Sequence, residues 1–173
     1  MKKIRIEGIK LSEELFQLNI LRHFHSKDTL RHFCRILASN KINIPFLSTA
    51  YFGEEVQLVC CMSAEQKAKV QDLINAEASL GGCVEFIPST GLLSVYPHKS
   101  DVRVLGLSLF ALGRARIPIH GLASSLSALT LVTDYGRLDE AAEVLQEYLE
   151  LPPGQRPFRP QFRITQSEIV KGR

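Results

Sequence analysis

The sequence predicts an α+β fold made of two copies of one βαββαβ unit, packed in tandem with antiparallel sheets and helices on one face. Three observations predict it. First, a phrase repeats at half-chain spacing: His25-Ser26-Lys27-Asp28 returns as His98-Lys99-Ser100-Asp101 after 73 positions, Leu58-Val59 as Leu131-Val132 after 73, and Ile44 as Ile119 after 75. Repetition at fixed spacing decides architecture before any single motif does. Second, apolar residues alternate with period two in several short runs and recur at helical spacing in others, in the same order in both halves. Third, hydrophobic residues are 45% and charged residues 23% of 173, the balance of a folded globular chain.

Composition also excludes functions. No apolar run nears the roughly 20 residues that span a bilayer. Met1 to Glu7 alternates charged and apolar groups without a signal-peptide core, which points to a cytoplasmic protein with no membrane contact. The cysteines, Cys34, Cys60, Cys61 and Cys83, form no CxxC pair and sit among apolar neighbours, as small buried thiols do. Net charge is +3, yet residues 154–173 hold five basic residues against one acidic, so the rest of the chain is at −1. Basicity therefore belongs to the tail, whereas a nucleic-acid protein carries it on a face of the domain. The inner strands also lack the aromatics on which an RNA-binding sheet stacks bases.

Each element has its own signal. Ile4, Ile6, Ile9 and Leu11 read as a lead-in strand broken at Gly8, and Leu15 to Leu21 as a second extended run. Asp28 or Ser26 suits the N-cap of a helix whose stripe is Leu30, Phe33, Cys34 and Leu37, closing near Asn40. Strands are expected at 42–49 and 56–62 around Gly53, followed by a helix capped by Ser63 and running to about Glu77. Cys83 to Ile87 is the closing strand. The second copy starts near Thr90-Gly91 with a strand over 92–96. Its helix carries Val102, Leu105, Leu109 and Leu112, and Gly113 is its expected C-cap. Strands at 117–125 and 128–134 follow. A last helix over Leu138, Ala141, Ala142, Leu145 and Tyr148 or Leu149 is stopped by Pro152-Pro153-Gly154. Domains are thus 1–88, 89–152 and a Pro/Arg-containing tail, 153–173, in which Phe162 to Thr165 alternates.

The βαββαβ order is the ferredoxin-like plan, which alone names no function. The passage Leu37-Ala38-Ser39-Asn40-Lys41-Ile42-Asn43-Ile44-Pro45-Phe46-Leu47-Ser48-Thr49 resembles the first helix and second strand of an ACT domain of the aspartokinase group. Ile6-Glu7-Gly8-Ile9 is similar to the short strand that precedes the paired ACT domains there. The resemblance covers about residues 4–150 and implies a tandem ACT module, often dimeric, that stands alone or acts on a partner enzyme. It also implies a regulatory role in which an amino acid is bound between units. The Pro-Gly with which that group opens its first helix is absent from both copies.

Such a ligand site has a simple physical basis. A helix N-terminus offers free amide hydrogens and the positive end of its dipole to a carboxylate, and a neighbouring strand offers carbonyls and hydroxyls to an ammonium group. The corresponding residues are His25, Ser26, Lys27, Asp28, Ser48 and Thr49 in copy one. In copy two they are His98, Lys99, Ser100, Asp101, Ala123, Ser124 and Ser125. Asp28 and Asp101 can equally serve only as helix caps. His23 and His25 lack a carboxylate or cysteine at supporting spacing, so neither a metal nor a cofactor is expected. No nucleophile–base–orienter pattern, phosphate loop or nucleophile elbow is present, so no catalysis is expected either. Two functions fit: a small-molecule-binding regulatory module, or an interaction and dimerisation module that has lost its ligand.

Overall fold

The computed structural model describes residues 2–23, 27–52, 55–77, 80, 83–97, 99 and 101–160 of the chain. Its strands are β1 (Ile4–Arg5), β2 (Gly8–Leu11), β3 (Leu15–His23), β4 (Phe46–Phe52), β5 (Glu55–Ser63), β6 (Val84–Tyr96), β7 (Gly121–Ser124), β8 (Leu129–Asp134) and β9 (Leu149–Glu150). Its helices are α1 (Lys27–Ser39), α2 (Lys67–Asn75), α3 (Val102–Arg114) and α4 (Leu138–Gln146). The main sheet has the order β4-β5-β3-β6-β8-β7, with β2 added beside β6 and every pair antiparallel.

The long strand β6 organises the molecule. The sequence reading split this stretch into two strands around Thr90-Gly91, but hydrogen bonding runs through it from Val84 to Tyr96. Its first part pairs with β3 and its second with β8 and β2. The pairing with β3 shifts register between Leu15 and Gln17, beside Ser89 at φ 54°. A bulge of this kind absorbs one extra residue without ending the strand. Half the sheet is therefore β4-β5-β3-β6, and the other half is β7-β8-β6-β2, the same order of roles. The fourth strand of the second half comes from the N-terminus. Gly8–Leu11, grouped above with the first copy, pairs in register with Tyr96–Leu93 of the second. Gly8 is needed there, since a Cβ would lie 2.4 Å from the Tyr96 hydroxyl.

Two apolar cores follow. Phe16, Leu18 and Ile20 of β3 pack under Phe33 and Leu37 of α1 and Val70 and Ile74 of α2. Ile9, Leu11, Leu93, Val95, Leu129 and Leu131 pack under Val104 and Leu112 of α3 and Leu138, Ala141 and Leu145 of α4. A third, smaller cluster lies on the other face, where Leu15, Phe46 and Cys61 of the first half meet Leu92 and Val132 of the second. There the edge strands approach each other: a Cβ on Gly121 would stand 3.4 Å from the Phe46 ring.

The two copies share one helix closure. The residue in left-handed conformation is Lys41 (φ 55°) after α1 and Arg116 (φ 55°) after α3. Helix α1 closes at Ser39, near Asn40 as expected, but Lys41 takes the left-handed place, and the expected cap Gly113 lies inside α3, which closes at Arg114. The Ile42 amide donates to Leu37 O (3.0 Å) and the Lys41 amide to Ala38 O (3.0 Å); 75 residues on, the Ile117 amide donates to Leu112 O (2.9 Å) and the Arg116 amide to Gly113 O (3.1 Å). This is a Schellman closure with a buried isoleucine as its apolar contact. It uses up residues 42–45 and 117–120, and Pro45 and Pro118 have no amide hydrogen for a ladder. The strands expected from 42 and 117 therefore start at 46 and 121.

Two helices also differ from expectation. A 3₁₀ turn precedes α2 at 64–66, Ser63 makes no side-chain cap bond, and α2 ends at Asn75. A matching 3₁₀ turn, 135–137, precedes α4, which ends at Gln146. Leu149-Glu150 then leaves the helix to pair in parallel with Ile4-Arg5. The first part of the tail folds back on β2: the Phe158 amide donates to Ile9 O (3.0 Å) and the Leu11 amide to Phe158 O (2.9 Å). Phe162 to Thr165 lies outside the described residues. No helix among those described is long and apolar enough to cross a membrane.

Candidate functional site

The described residues among those predicted lie at the starts of α1 and α3 and on or just after the edge strands β4 and β7. In copy one, His25 and Ser26 lie outside the described residues, as do the side chains of Lys27 and Asp28, whose backbone begins α1. Ser48 and Thr49 are on β4, opposite Val59 and Leu58 of β5. Alternation along the strand turns Ser48, half-buried, to the face of the third cluster, and leaves Thr49 exposed on the other.

In copy two, His98 and Ser100 lie outside the described residues, and Lys99 is exposed at φ 50°. Asp101 is the N-cap of α3. Its Oδ1 accepts the Arg103 amide hydrogen at 2.9 Å, and both its carboxylate oxygens accept from the Arg103 guanidinium at 2.6–3.1 Å. A side-chain carboxylate thus caps this helix N-terminus, and the cation paired with it is also the protein's own. The hydrogen bonds it donates to Asp101 hold the Arg103 guanidinium above its usual pKa. Ala123 is half-buried on β7, opposite Thr130, and Ser124 is exposed, opposite Leu129. Ser125 closes the turn after β7: its hydroxyl accepts from the Ala128 amide (3.1 Å) and donates to the Ala128 carbonyl (3.2 Å). In copy two, Asp101 and Ser125 thus spend polar groups on partners inside the chain.

Sequence reasoning missed a polar seam on the face opposite the helices. Gln17 is fully buried in β3. Its Nε2 donates to Asn19 Oδ1 (2.7 Å) and to the His120 carbonyl (3.3 Å), the latter across to the second half. Asn19 Nδ2 donates onward to Glu85 (3.2 Å). An ionised carboxylate only accepts, so this chain fixes the direction of both amides, and Gln17 Oε1 is left buried without a partner. His120 Nε2 lies 2.7 Å from Asp134 Oδ1 on this face, whereas Thr133, on the helix-covered face, donates from Oγ1 to Pro118 O at 2.6 Å. The available signal was the alternation Phe16-Gln17-Leu18-Asn19-Ile20, which puts two amides on one face of a strand whose other face is core.

Two of the four thiols are closed to chemistry in the folded chain. Cys60 and Cys61 are fully buried, and burial pushes the Cys61 thiol up to about 12 and Cys60 further still. Among the described residues, no three His, Cys, Asp or Glu groups come close enough to hold a metal ion.

Two ferredoxin-like half-sheets joined through one strand and covered by the four described helices define the fold as a pair of ferredoxin-like units. Solved structures bear this out at the level of fold. The chain is similar to the regulatory subunit of aspartate kinase from Thermus thermophilus, in its ligand-free form, with a TM-score of 0.74 over 84% of this chain and 99% of that one at 14% identity. It is similar to aspartate kinase from Synechocystis (TM-score 0.70, 11% identity, 87% of this chain and 28% of that one). It is also similar to E. coli aspartokinase III in complex with lysine and aspartate (TM-score 0.62, 17% identity, 82% and 32%). The match is thus to the whole of a separate regulatory subunit and to about a third of the complete kinases. No protein-family model matches the sequence, and no curated protein is significantly similar to it.

Proposed function

We propose that this chain is a non-catalytic regulatory module that binds an amino acid or similar small metabolite between its units and acts on a partner enzyme. The observation that carries the reading is the near-complete coverage of a free-standing aspartate kinase regulatory subunit. The mechanism would be a population shift: a ligand with higher affinity for one packing of the two halves favours that packing in proportion to the difference. The third apolar cluster is the surface such a shift would rearrange. Among the described residues it contains five buried residues, against sixteen and twelve in the helix-covered cores, so it is the least costly packing to change.

Ligand binding is assigned to the corner of copy one, around Ser48, Thr49 and the start of α1, because the edge strand there offers two hydroxyls where copy two has Ala123 and Ser124. A melting-temperature panel of the twenty amino acids tests this. A ligand present at about 100 times its Kd adds about 2.7 kcal/mol, which raises the midpoint by several degrees in a chain of this size. No shift with any amino acid would sink the ligand reading. The second reading, an interaction module without a ligand, is favoured by the internal pairing of Asp101 and Ser125. It expects a flat panel together with retained binding to a partner chain or a second copy.

A further inference from the structure

Positive charge outside the tail is gathered at one place. The chain apart from residues 154–173 is at −1. Yet a cavity of about 420 Å³ between β1 and the start of α3 is lined by Lys2, Lys3, Arg5 and Arg103, with Ile4 as its apolar wall. Among the described residues no carboxylate lines it. The fold holds these cations in place. The Ile4 amide donates to Tyr148 O (3.0 Å) and the Ile6 amide to Glu150 O (3.0 Å), which fixes the backbone on both sides of Arg5. Lys3 Nζ donates to Gln146 O at the end of α4 (2.6 Å), and Arg5 Nε to Glu150 (3.4 Å). Arg103 is held by Asp101 through Nε and Nη2.

These bonds do not exhaust the donors. A guanidinium has five N–H groups and an ammonium three. Both Nη groups of Arg5, Nη1 of Arg103 and two protons of Lys3 carry none of the bonds above. Asp101 and Glu150 balance two of the four charges, which leaves an excess of positive charge around one space. Like charges held together repel unless a counter-charge lies among them. Guanidinium forks match phosphate oxygens in pairs, and ammonium groups bind phosphate as point charges. The volume lies in the range of about 300–1,000 Å³ that small-molecule sites occupy. No aromatic ring lines it to stack a base, so the recognised part is the phosphate chain. We infer that this cavity binds a small molecule through a di- or triphosphate group. Recognition rests on side chains, because the Arg103 amide at the start of α3 is already taken by Asp101. The site lies apart from Ser48 and Thr49, and the inference does not rest on amino-acid binding.

Calorimetric titration of the full chain with inorganic pyrophosphate, and separately with ADP, tests it. Wild type binds each at one site per chain, and more tightly than it binds sulfate at the same ionic strength. Arg5→Gln and Arg103→Gln each weaken pyrophosphate binding about tenfold, the loss of one charge-assisted contact. Their side chains are 86% and 72% exposed, so both variants melt within about 2 °C of wild type. Lys69→Gln removes a cation on α2 and leaves the affinity unchanged. No heat with either ligand overturns the inference. So does an affinity that is the same in wild type, Arg5→Gln and Arg103→Gln, since the anion would then be held elsewhere, as by the basic tail. Tighter binding of a hexaglutamate peptide than of pyrophosphate, lost in the same two variants, also overturns it and makes the cavity a contact for an acidic protein segment.

Discussion

Gly91 distinguishes a linker between two units from a position inside one continuous strand. As a linker, Gly91→Ala would be neutral or slightly stabilising, because alanine restricts the unfolded chain. In the structure Gly91 pairs with Thr133 and lies directly under α4. An added Cβ would stand 2.5 Å from Leu138 Cδ1, 3.0 Å from Leu138 Cγ and 3.3 Å from the Tyr135 ring. Favourable carbon contacts lie near 3.5–4.0 Å, so α4 or the leucine must retreat by about 1 Å. Leu138 is fully buried with Ala141 and Leu145 behind it, so the retreat strains a packed core. Overpacking of this kind costs about 1–3 kcal/mol. Urea unfolding of Gly91→Ala should show that loss with an unchanged m-value, and the melting midpoint should fall by about 2–4 °C per kcal/mol. A double-mutant cycle isolates the contact: Leu138→Ala alone costs about 2–5 kcal/mol, and in the double variant the overpacking cost should disappear. Additive losses, or a neutral Gly91→Ala, would refute the placement of this residue beneath α4.

Lys41→Gly and Arg116→Gly should each stabilise by up to about 1 kcal/mol, since both close a helix at φ 55°, and chemical unfolding would detect it. Loss of stability in both would contradict the shared closure. Native protein treated with Ellman's reagent at pH 8 should leave Cys60 and Cys61 silent until urea is added, because both are buried and burial raises their pKa values. Asp139 accepts two hydrogen bonds from Arg159, which hold its carboxyl below the usual range. Its contribution is therefore complete above the ordinary carboxylate pKa and is lost as pH falls through the depressed one. The pair is exposed, so Arg159→Ala should cost less than about 1 kcal/mol at pH 7, and this difference from wild type should shrink in acid.

Local signals located most elements, and long-range pairing decided what they missed. The stripe Leu30, Phe33, Cys34 and Leu37 marked α1 because a helix face is written at fixed spacing in its own residues. Duplication was legible from the repeated loops and strands. The partner of β2 was not, because Gly8 to Leu11 alternates the same way whichever strand it joins. The continuity of β6 was hidden by Pro88 and Gly91, which in isolation read as punctuation. Lys41 and Arg116 gave no composition signal for left-handed backbone, since the buried isoleucine that follows each one compensates for a poor residue choice. At the site, Asp101 was legible as a cap or a ligand group, and the choice required the position of Arg103, two residues along.

Asp101 also offers a way to separate the two copies by ligand stoichiometry, provided the chain binds an amino acid as proposed. Its carboxylate accepts the Arg103 amide hydrogen and neutralises the Arg103 guanidinium. Asn is an N-cap of similar quality, so Asp101→Asn should leave the stability of α3 within a few tenths of a kcal/mol. The substitution removes the internal negative charge, while the helix dipole and the Arg103 cation remain. An exogenous carboxylate then has a vacant counter-charge at the second corner. Calorimetric titration with whichever amino acid raises the melting point should give one site per chain for wild type and a second, weaker site for Asp101→Asn. Added salt should weaken the new site, because its attraction is between exposed charges. A variant that keeps one site of unchanged affinity would show that the closed corner is not what makes the copies unequal. A wild type with two equal sites would remove the assignment to copy one altogether.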